Sequence, residues 1–474
     1  MITFAICLFA LVAGYFAYGG FVERVFGVKP DAPTPAYAME DGVDYVPMPW
    51  WRVFLIQFLN IAGLGPIFGA IMGMMFGPAS FLWIVVGTIF AGAVHDYLSG
   101  MMSIRRGGAS LPELVGDELG GAAKSFMRLF ALLLMVLVGA VFVSGPAGLL
   151  AGLLPQVGAP IWMAAIFAYY ILATLLPIDK LIGRIYPVFG FALLFMAAGI
   201  LFALFYNHAP VVEVAVGVGN RHPDPAMHIF PMMFVSIACG AISGFHATQA
   251  PLMARCIKNE RYGRRCFYGA MVAEGVVALV WAAAASSFFG SLDGLQSHVA
   301  ALPATANKGA EVVDAISKAW LGGVGGFLAI LGVVAAPITS GDTALRSARL
   351  IAADFLHFDQ KPLWKRLAVS IPIFIVTFAV LQMDFDVLWR YFAWCNQTLA
   401  VFTLWTATAY LRRQGKLYAI ALAPAIFMTM VCSTYIFAAP RPEGAGLSYE
   451  TSLAIGGAVT ALATVCFFRR KGGR

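Results

Sequence analysis

Charged residues are scarce in this sequence of 474 residues: Asp, Glu, Lys and Arg make up only 12% of it. Soluble domains carry about 25% charged residues, so this chain has too little polar surface to be soluble in water. Hydrophobic residues make up 61% of it, and its mean hydropathy is +0.82. Apolar runs of about 20 residues, the length that crosses a bilayer as a helix, recur along the chain, and the alternating segments of a membrane β-barrel are absent. The composition therefore predicts an all-α polytopic membrane protein.

Motifs for catalysis, nucleotide binding and metal ligation are also missing. None of the seven cysteines forms a CxxC pair, which argues against a disulfide framework and a thiolate metal site. The patterns HExxH, GxSxG and GxxxxGK[ST] do not occur. The seven histidines are scattered: His95, His208, His222, His228, His246, His298 and His357. We therefore expect neither an enzyme nor a primary pump, and no cofactor.

The apolar runs predict about thirteen membrane-spanning helices. They lie at about residues 2–22, 51–76, 79–104, 126–153, 159–178, 186–206, 229–255, 266–290, 320–345, 367–382, 386–411, 417–438 and 450–468. The first run lacks the basic region and cleavage site of a signal peptide, so we expect it to be retained. Residues 23–49 are expected to form a cytoplasmic linker, and residues 291–319 to hold a short helix over the outer face.

Basic residues indicate the orientation of the chain. With the N-terminus outside, 26 of the 31 Lys and Arg residues are cytoplasmic, all except Arg221, Lys308, Lys318, Arg390 and Arg441. Because cytoplasmic loops are rich in Lys and Arg, we expect a multi-pass protein of the inner (plasma) membrane with a cytoplasmic C-terminus. The net charge of +7 could suggest an anionic partner, but the placement of the basic residues indicates membrane topology instead. The expected partners include the lipid bilayer but no nucleic acid.

Two segments of the apolar runs repeat each other. NIAGLGPIFGA at residues 60–70 and SIACGAISGFHATQAP at residues 236–251 both begin with a polar residue followed by Ile-Ala and then glycine. They are five predicted helices apart and so cross the membrane in opposite directions, as an inverted five-plus-five repeat requires. We expect two inverted halves, residues 51–206 and 207–411, flanked by a helix and linker at 1–50 and two helices at 412–474. Transporters built in this way bind their substrate where one helix of each half is interrupted.

Glycine and proline are expected to interrupt both helices. Gly63, Gly65, Pro66, Gly240 and Gly244 weaken the intrahelical hydrogen bonds. Unpaired backbone groups in hydrocarbon cost several kcal/mol each unless something satisfies them. A carboxylate at the exposed half-helix N-termini and a cation at the C-termini would do so. The alternative is that these glycines only permit close helix packing.

Five motifs carry a resemblance to a known family. They are NIAGLGPIFGA, FAGAVHDYLSGMMSIRRGGASLPE, ACGAISGFHATQAP, PITSGDTALRSARLIAADF and WRYFAWCNQTLA, in that order between about residues 50 and 411. The chain resembles the carbon starvation protein A family, which implies a LeuT-like transporter fold and uptake of pyruvate or small peptides by cation-coupled symport. It lacks the additional C-terminal sequence of longer members. It also has Thr248-Gln249-Ala250-Pro251 where many members continue with Ser, Gly and Thr.

The resemblance also implies a cation site. In the LeuT-like arrangement, a sodium ion lies between hydroxyls of the eighth core helix, here Thr339 and Ser340, and carbonyls around Ala62–Gly65. Oxygen ligands suit a hard cation, so a bound Na⁺ is expected there, whereas Asp342 offers a carboxylate that would carry a proton instead. A proton-coupled relative can place a lysine in the fifth core helix, and residues 186–206 contain none. That absence favours an ion.

Ionisable residues in apolar helices are further candidates, because they usually have a function in a membrane protein. His246 lies beside the second predicted break. We expect it to be a substrate contact, a proton relay or a hydrogen-bonded structural residue. His95 and Asp96 point about 100° apart on one helix. Asp96 is therefore expected either to join a proton relay or to anchor Arg105 and Arg106.

The remaining candidates are polar residues near the breaks and in the tenth core helix. The residues expected to line the substrate pocket are Asn60, Gly63, Gly65, Gly240, Ser243, Gly244, His246, Thr248, Gln249, Asn396 and Gln397. Those expected to couple a cation or proton are Ala62, Thr339, Ser340, Asp342, His95 and Asp96. Arg390 is either a gate for a carboxylate or an interfacial anchor, and Glu274 is a lone acid that could belong to a relay.

The predicted function is secondary active transport of a small carboxylate such as pyruvate, or of small peptides, coupled to H⁺ or Na⁺. A gated channel for small anions is one alternative, although paired broken helices suit alternating access better than a continuous pore. An amino-acid transporter of the same fold is the other.

Overall fold

The structure, a computed structural model, describes residues 1–154, 156–175, 178–303, 307–358, 360, 362–441 and 443–469. The described part is built of helices and contains no β-sheet, only an isolated bridge between Met48 and Ile257. Four of the basic residues that we assign to the cytoplasm lie outside the described residues: Lys361, Arg470, Lys471 and Arg474.

Helices occupy the positions of all thirteen predicted spans and are labelled in chain order. The first six are α1 (Ile2–Phe26), α2 (Trp50–Ile61 and Gly65–Met74), α3 (Ala79–Arg105), α4 (Gly121–Leu153), α5 (Ala159–Leu175) and α6 (Ile178–Tyr206). The next three are α7 (Ile229–Met233, Phe234–Ser236, Ala238–Ala241 and Gly244–Ala254), α8 (Gly269–Phe288) and α9 (Lys308–Leu356). The last four are α10 (Leu363–Val380), α11 (Phe385–Arg413), α12 (Ala419–Ala438) and α13 (Tyr449–Arg469).

The length and composition of these helices suit a membrane. Among the described residues, eight helices are long and apolar enough to cross one, and the two parts of α2 together make a ninth candidate. The chain is therefore an all-α, multi-pass membrane protein. The prediction of this fold class is confirmed.

The first predicted break is present in α2. Its two parts are bent by 57° relative to each other. Ala62 leaves the helical conformation with ψ of 59°, and the Gly63 N–H donates to the carbonyl of Ile61, two residues back, at 2.8 Å. Pro66, which cannot donate from its backbone nitrogen, lies in the first turn of the second part.

The second predicted break is present in α7. Ile242 and Ser243 are fully extended, with φ, ψ of −160°, 138° and −145°, 122°, and separate Ala238–Ala241 from Gly244–Ala254. A smaller irregularity at Ile237 divides the outer part again. Both breaks fall where the glycine-rich repeat predicts them.

The two broken helices pack directly against each other. Gly65, Gly69 and Gly73 recur every fourth residue and so form one face of α2. A Cβ atom on Gly65 would lie 2.2 Å from Cys239 Cβ, and one on Gly69 would lie 2.7 Å from the Ser236 carbonyl oxygen. Only hydrogen fits at these places, so the glycines also serve the close packing that was the alternative explanation for them.

Other boundaries differ from the prediction for local reasons. Helix α9 begins at Lys308, where the Asn307 side chain accepts from the Ala310 N–H, and it is kinked at Gly322 with φ of 67°. The segment predicted as a cytoplasmic linker is packed against the ends of α3 and α7 and contains the short helix Pro35–Ala38. The predicted short helix between α8 and α9 is present at Leu292–Ala301.

Candidate functional site

Four buried ionisable side chains meet beside the second break. Asp96 of α3 accepts a hydrogen bond at Oδ1 from Nδ1 of His95 at 2.8 Å, and at Oδ2 from Nδ1 of His246 at 2.9 Å. Nε2 of His246 lies 3.3 Å from Oε2 of Glu274 in α8. All four side chains are completely buried. We call His95, Asp96, His246 and Glu274 the acid–histidine cluster.

The contacts of the cluster contradict one of the two predicted roles of Asp96. The prediction that Asp96 anchors Arg105 and Arg106 is wrong, because Arg105 pairs with Glu260 at 3.0 Å and Arg106 lies 3.4 Å from Asp117. Although adjacent helical residues diverge, the His95 ring turns back onto its neighbour and leaves the other Asp96 oxygen for α7. Asp96 is thus in the position required for the relay alternative.

In this geometry one proton can move between His246 and Glu274. With Asp96 ionised, both of its imidazole partners carry hydrogen on Nδ1, and Nε2 of His246 then has a lone pair directed towards Glu274. Neither carboxylate oxygen of Glu274 has a hydrogen-bond partner in the described part. A proton placed between this nitrogen and this carboxyl would be bound by one or the other, because the two atoms lie only 3.3 Å apart.

Polar side chains from α11 hold the second break open. Asn396 Oδ1 accepts hydrogen bonds from the Ser243 hydroxyl at 3.0 Å and from the Phe245 N–H at 2.7 Å. Nε2 of Gln397 donates to the Ile242 carbonyl at 2.9 Å. The expectation that substrate satisfies these backbone groups is therefore wrong for Phe245 and Ile242, since neighbouring side chains already do so.

Both ends of the break are fixed by close contacts. Thr88 of α3 donates from its hydroxyl to the Gly240 carbonyl at 3.1 Å. A Cβ atom on Gly244 would lie 2.3 Å from the backbone nitrogen of Ala400, so α7 and α11 touch backbone to backbone here. Further along α7, Thr248 donates to the Phe245 carbonyl at 2.6 Å.

Buried amides without partners lie at and beside the breaks. The side chains of Asn60 and Gln57 in α2 are fully buried, and neither the oxygen nor the nitrogen of either amide has a hydrogen-bond partner in the described part. Oε1 of Gln249 and Oε1 of Gln397 are likewise buried without a partner. A buried polar atom left unpaired costs about 1–3 kcal/mol, so these amides are the groups from which a polar ligand would gain most.

The predicted pocket glycines have a packing role in this conformation. A Cβ atom on Gly63 would lie 2.6 Å from the ring of Phe142, and one on Gly240 would lie 2.7 Å from Cβ of Ala278. Together with Gly65 and Gly244, they allow α2 and α7 to approach their neighbours.

The predicted cation residues contact the first broken helix. Ser340 donates to the carbonyl of Leu59 at 2.9 Å and to that of Ala336 at 3.0 Å, and Thr339 donates to Ala336 at 2.7 Å. The carbonyl in contact is thus that of Leu59, one turn before the predicted Ala62. Asp342 is fully buried on the same helix, where it interacts with Tyr169.

Arg390 and a possible metal site are the last candidates. Arg390 forms an ion pair with Glu443, in the segment between α12 and α13, so an acid of this chain already neutralises its guanidinium. Within the described ranges, no three His, Cys, Asp or Glu side chains are arranged to hold a metal ion.

Sequence reasoning misses Gln57, Thr88 and the joining of Asp96 to Glu274 through His246. Gln57 precedes Asn60 by three residues in an apolar run, so helical spacing would have revealed it as a second polar group on that face. Thr88 has no such signal, because a single threonine in an apolar helix usually bonds within its own helix.

Comparison with known proteins gives a consistent set of relatives. The sequence model of the family described as "Carbon starvation protein CstA" matches residues 1–155 and 149–322. An uncharacterised membrane protein of Haemophilus influenzae is 45% identical over 351 residues, covering 64% of this chain and 95% of that protein.

Two relatives have functional names. Peptide transporter CstA of Campylobacter jejuni is 29% identical over 344 residues, covering 59% of this chain and 49% of that protein. The pyruvate/proton symporter BtsT of Escherichia coli is 29% identical over 332 residues, covering 56% of this chain and 46% of that protein. The chain spans about half the length of these two transporters.

Solved structures share the fold. A mutant of the manganese transporter of Eremococcus coleocola superposes with a TM-score of 0.57 at 14% identity, covering 91% of this chain and 99% of that one. MhsT in complex with L-phenylalanine superposes with a TM-score of 0.55 at 14% identity, covering 88% of this chain and 98% of that one. Both have the LeuT-like fold, so this prediction of architecture is confirmed.

Proposed function

Because the chain belongs to the carbon starvation protein CstA family, we propose that it is a secondary active transporter that imports a small carboxylate such as pyruvate, or a small peptide. The named relatives, a peptide transporter and a pyruvate/proton symporter, support this substrate class. The two broken helices, which pack face to face, support transport by alternating access.

The acid–histidine cluster is the observation that carries the proposal. It contains two acids and two imidazoles, buried beside the extended residues Ile242 and Ser243. An uncompensated charge in such surroundings costs several kcal/mol. The cluster is neutral when one acid is ionised and one histidine is protonated, so any anion brought next to it favours uptake of one more proton.

This balance of charge provides the coupling. A substrate carboxylate near the second break adds one negative charge, and one more proton taken up by the cluster offsets it. Proton and substrate then bind together and leave together, as symport requires. The exchange between Asp96, His246 and Glu274 is internal, so the proton need not pass through the Asn396 contacts that hold the break.

The substrate's polar groups are proposed to contact the unpartnered amides. Asn60 and Gln57 on α2, together with Gln249 on α7, present donors and acceptors that the described part of the protein leaves without partners. They suit a carboxylate and a neighbouring carbonyl, features that 2-oxo acids and peptides share.

Sodium is a second candidate for the coupling ion. The hydroxyls of Thr339 and Ser340 each lie within hydrogen-bond distance of the carbonyls of Leu59 and Ala336, so four oxygens are grouped here. Such a set suits a hard cation. It joins α9 to the first broken helix, so an ion held there would link the two elements.

The membrane and the orientation are also part of the proposal. The excess of Lys and Arg on one side supports a plasma-membrane protein with its N-terminus outside and its C-terminus in the cytoplasm. Transport is proposed in preference to catalysis because the relatives with functional names are transporters. A channel for small anions is disfavoured by the tight packing of the broken helices.

Gradient-driven uptake into proteoliposomes tests the function. Labelled pyruvate and labelled dialanine would be offered separately under an inward proton gradient, an inward sodium gradient, or neither. We expect accumulation of one substrate under the proton gradient and none without a gradient. Accumulation driven only by sodium would favour the Thr339–Ser340 site, and indifference to both gradients would contradict coupled transport.

The Asp96→Asn variant tests the coupling residue. Asn keeps the size of Asp but cannot carry the negative charge, so we expect loss of proton-driven accumulation with retention of substrate exchange between loaded liposomes. The matched control is His208→Asn, at an exposed residue with φ of 47° that Asn tolerates. Full accumulation by Asp96→Asn would exclude Asp96 from coupling.

A further inference from the structure

Two segments meet where α2 and α8 begin. Met48 pairs with Ile257 in the isolated bridge, and the Cys266 thiol lies 3.6 Å from the Trp50 carbonyl oxygen. The two helices therefore start side by side, on the same side of the molecule. We call the two segments together the basic ledge: residues 48–52 and 257–265.

The basic ledge has an excess of positive charge. It contains five Lys or Arg residues and one acid, Glu260, so its formal net charge is +4. Within the part of the chain that the structure describes, no Asp or Glu forms an ion pair with four of these basic side chains: Arg52, Lys258, Arg261 and Arg265. Three of the four are exposed, and Nε of Arg52 is buried without a hydrogen-bond partner among the described residues.

The acids that reach the basic ledge are already paired elsewhere. Glu260 accepts from Arg105 of α3 at 3.0 Å, and Glu23 at the end of α1 lies 2.9 Å from Nε of Arg264. Asp31, in the segment after α1, is exposed and forms no ion pair with any described residue. The charge of the ledge is therefore left for an anion that is not part of the described chain.

Aromatic rings hold two of the guanidiniums in place. Arg265 lies over the Trp50 ring, 5.1 Å from its centre, and 6.0 Å from the centre of the Tyr262 ring. Arg261 lies 4.9 Å from the centre of the same tyrosine ring and donates to its hydroxyl at 2.8 Å. A ring orients a guanidinium without neutralising it, and most of its five N–H donors stay available to an anion.

Exposed tryptophans place the basic ledge at the surface of a bilayer. Trp50 is 38% exposed and Trp51 is 49% exposed, although both belong to the first turn of an apolar helix. Tryptophan and tyrosine are enriched where a membrane meets water, because their rings are apolar and carry one polar group. The anions at that level of a membrane are the phosphate groups of lipids.

We propose that the basic ledge is a binding site for one anionic phospholipid. Its phosphate accepts hydrogen bonds from Arg261 and Arg265, and its glycerol and acyl chains lie against Trp50 and Trp51. Hydrogen bonds between a guanidinium and a phosphate are charge-assisted and therefore strong. The further basic residues of the ledge add to the attraction that Lys and Arg exert on an anionic lipid near the membrane surface.

A lipid bound here would join two helices that carry the candidate functional site. Helix α2 continues from the ledge to the first break, and Glu274 lies on α8 nine residues after Arg265. A headgroup that binds the beginnings of both helices holds them together and so stabilises the arrangement of the site. Lipid binding itself does not depend on which substrate is transported.

Native mass spectrometry of the purified full chain, titrated with phosphatidylglycerol in a neutral detergent, tests the site. We expect Arg261→Gln and Arg265→Gln each to weaken binding of the first lipid about fivefold, the usual contribution of one Lys or Arg near an anionic surface. Arg265→Lys keeps the charge and should lose less. The matched control is Arg469→Gln, which removes an exposed cation at the end of α13 and should bind as wild type does.

Two further titrations identify the ligand. Phosphatidylcholine, which has no net charge, should bind wild type at least about fivefold more weakly than phosphatidylglycerol. Glycerophosphoglycerol, the same headgroup without acyl chains, should not displace the lipid. Wild-type affinity in both Arg→Gln variants of the ledge, an equal loss in Arg469→Gln, equal affinity for the two lipids, or displacement by the free headgroup would overturn the inference. No substrate or gradient is used, so failure here is distinguishable from failure of the proposed transport.

Discussion

Asp96 accepts a hydrogen bond from a histidine at each of its carboxylate oxygens, one on its own helix and one on α7. His246 and Glu274 are each visible in the sequence as ionisable residues in apolar helices. Their meeting is not visible, because it depends on how α3, α7 and α8 are rotated about their axes. The structure supplies that rotation and thereby turns three separate candidates into one cluster.

The contacts of Asn396 could not be predicted from the sequence either. The sequence predicts it as a substrate ligand, since it is a polar residue in an apolar helix. In the structure both its side-chain oxygen and its nitrogen are used within the protein, by Ser243, Phe245 and Cys239. A residue's type and depth can be inferred from sequence, but whether its hydrogen bonds are already satisfied cannot.

We expect Asn396→Ala to destabilise the protein by about 1–3 kcal/mol, the usual cost of leaving a buried donor unpaired, because the Phe245 N–H loses its acceptor. Thermal unfolding of the purified protein measures this. The control is Thr403→Val on the same helix, whose hydroxyl, within the described residues, bonds to the Leu399 carbonyl of its own helix. Equal loss in the two variants would show that Asn396 has no special role at the break.

Both helix breaks follow from glycines at matching places in an inverted repeat, which is why the sequence predicts them correctly. The start of α9 is different, because the chain is kinked at Gly322, with φ of 67°, between two helical stretches. The ordered segment before α2 is also missed, since its prolines and acids are typical of a linker. Its structure depends on docking against distant elements, which local composition does not encode.

We expect Gly244→Ala to prevent correct folding. The added methyl group would lie 2.3 Å from the Ala400 nitrogen and 2.4 Å from the Asn396 carbonyl oxygen, and backbone atoms cannot move aside as side chains do. Overpacking usually costs about 1–3 kcal/mol, and a clash with two backbone atoms should reach at least the top of that range. The readout is the yield of monodisperse protein. Gly457→Ala in α13, where a Cβ atom meets nothing within 4 Å, is the control and should be at least as stable as wild type.

We expect Glu113 to make the stability of the short helix Leu111–Leu119 depend on acid pH. Burial opposes ionisation of Glu113, but hydrogen bonds from Lys124 and Arg128 of α4 outweigh it and lower its pKa below the ordinary value of 4.5. The stabilisation is therefore complete above pH 4.5 and is lost as the pH falls through the lower folded-state pKa.

Thermal unfolding between pH 7 and pH 3 tests this. Glu113→Gln should be less stable than wild type at pH 7 by less than about 1 kcal/mol, because the pair is partly exposed, and the difference should shrink in acid. Glu40→Gln, an exposed acid on the segment before α2, is the control. A difference that is constant across this range would mean that the ion pairs of Glu113 do not stabilise the fold.

The whole molecule has a LeuT-like core, and the segment before α2 is packed against helix α9 of that core. The fold could be predicted because composition, the inverted repeat and the family motifs all agree on it. The docking of this segment could not be predicted. Residues 41–48 meet α9 across some 300 positions of sequence, and only the folded chain brings Asp44 to Arg346 and Arg349.

The central claim is that substrate and proton cross together through the acid–histidine cluster. The most direct measurement follows the internal pH of proteoliposomes loaded with a pH-sensitive dye, while pyruvate or dialanine is added outside with no gradient imposed. We expect acidification of the interior that follows substrate entry, and none with Asp96→Asn. Substrate entry by the wild-type protein without acidification would contradict the claim.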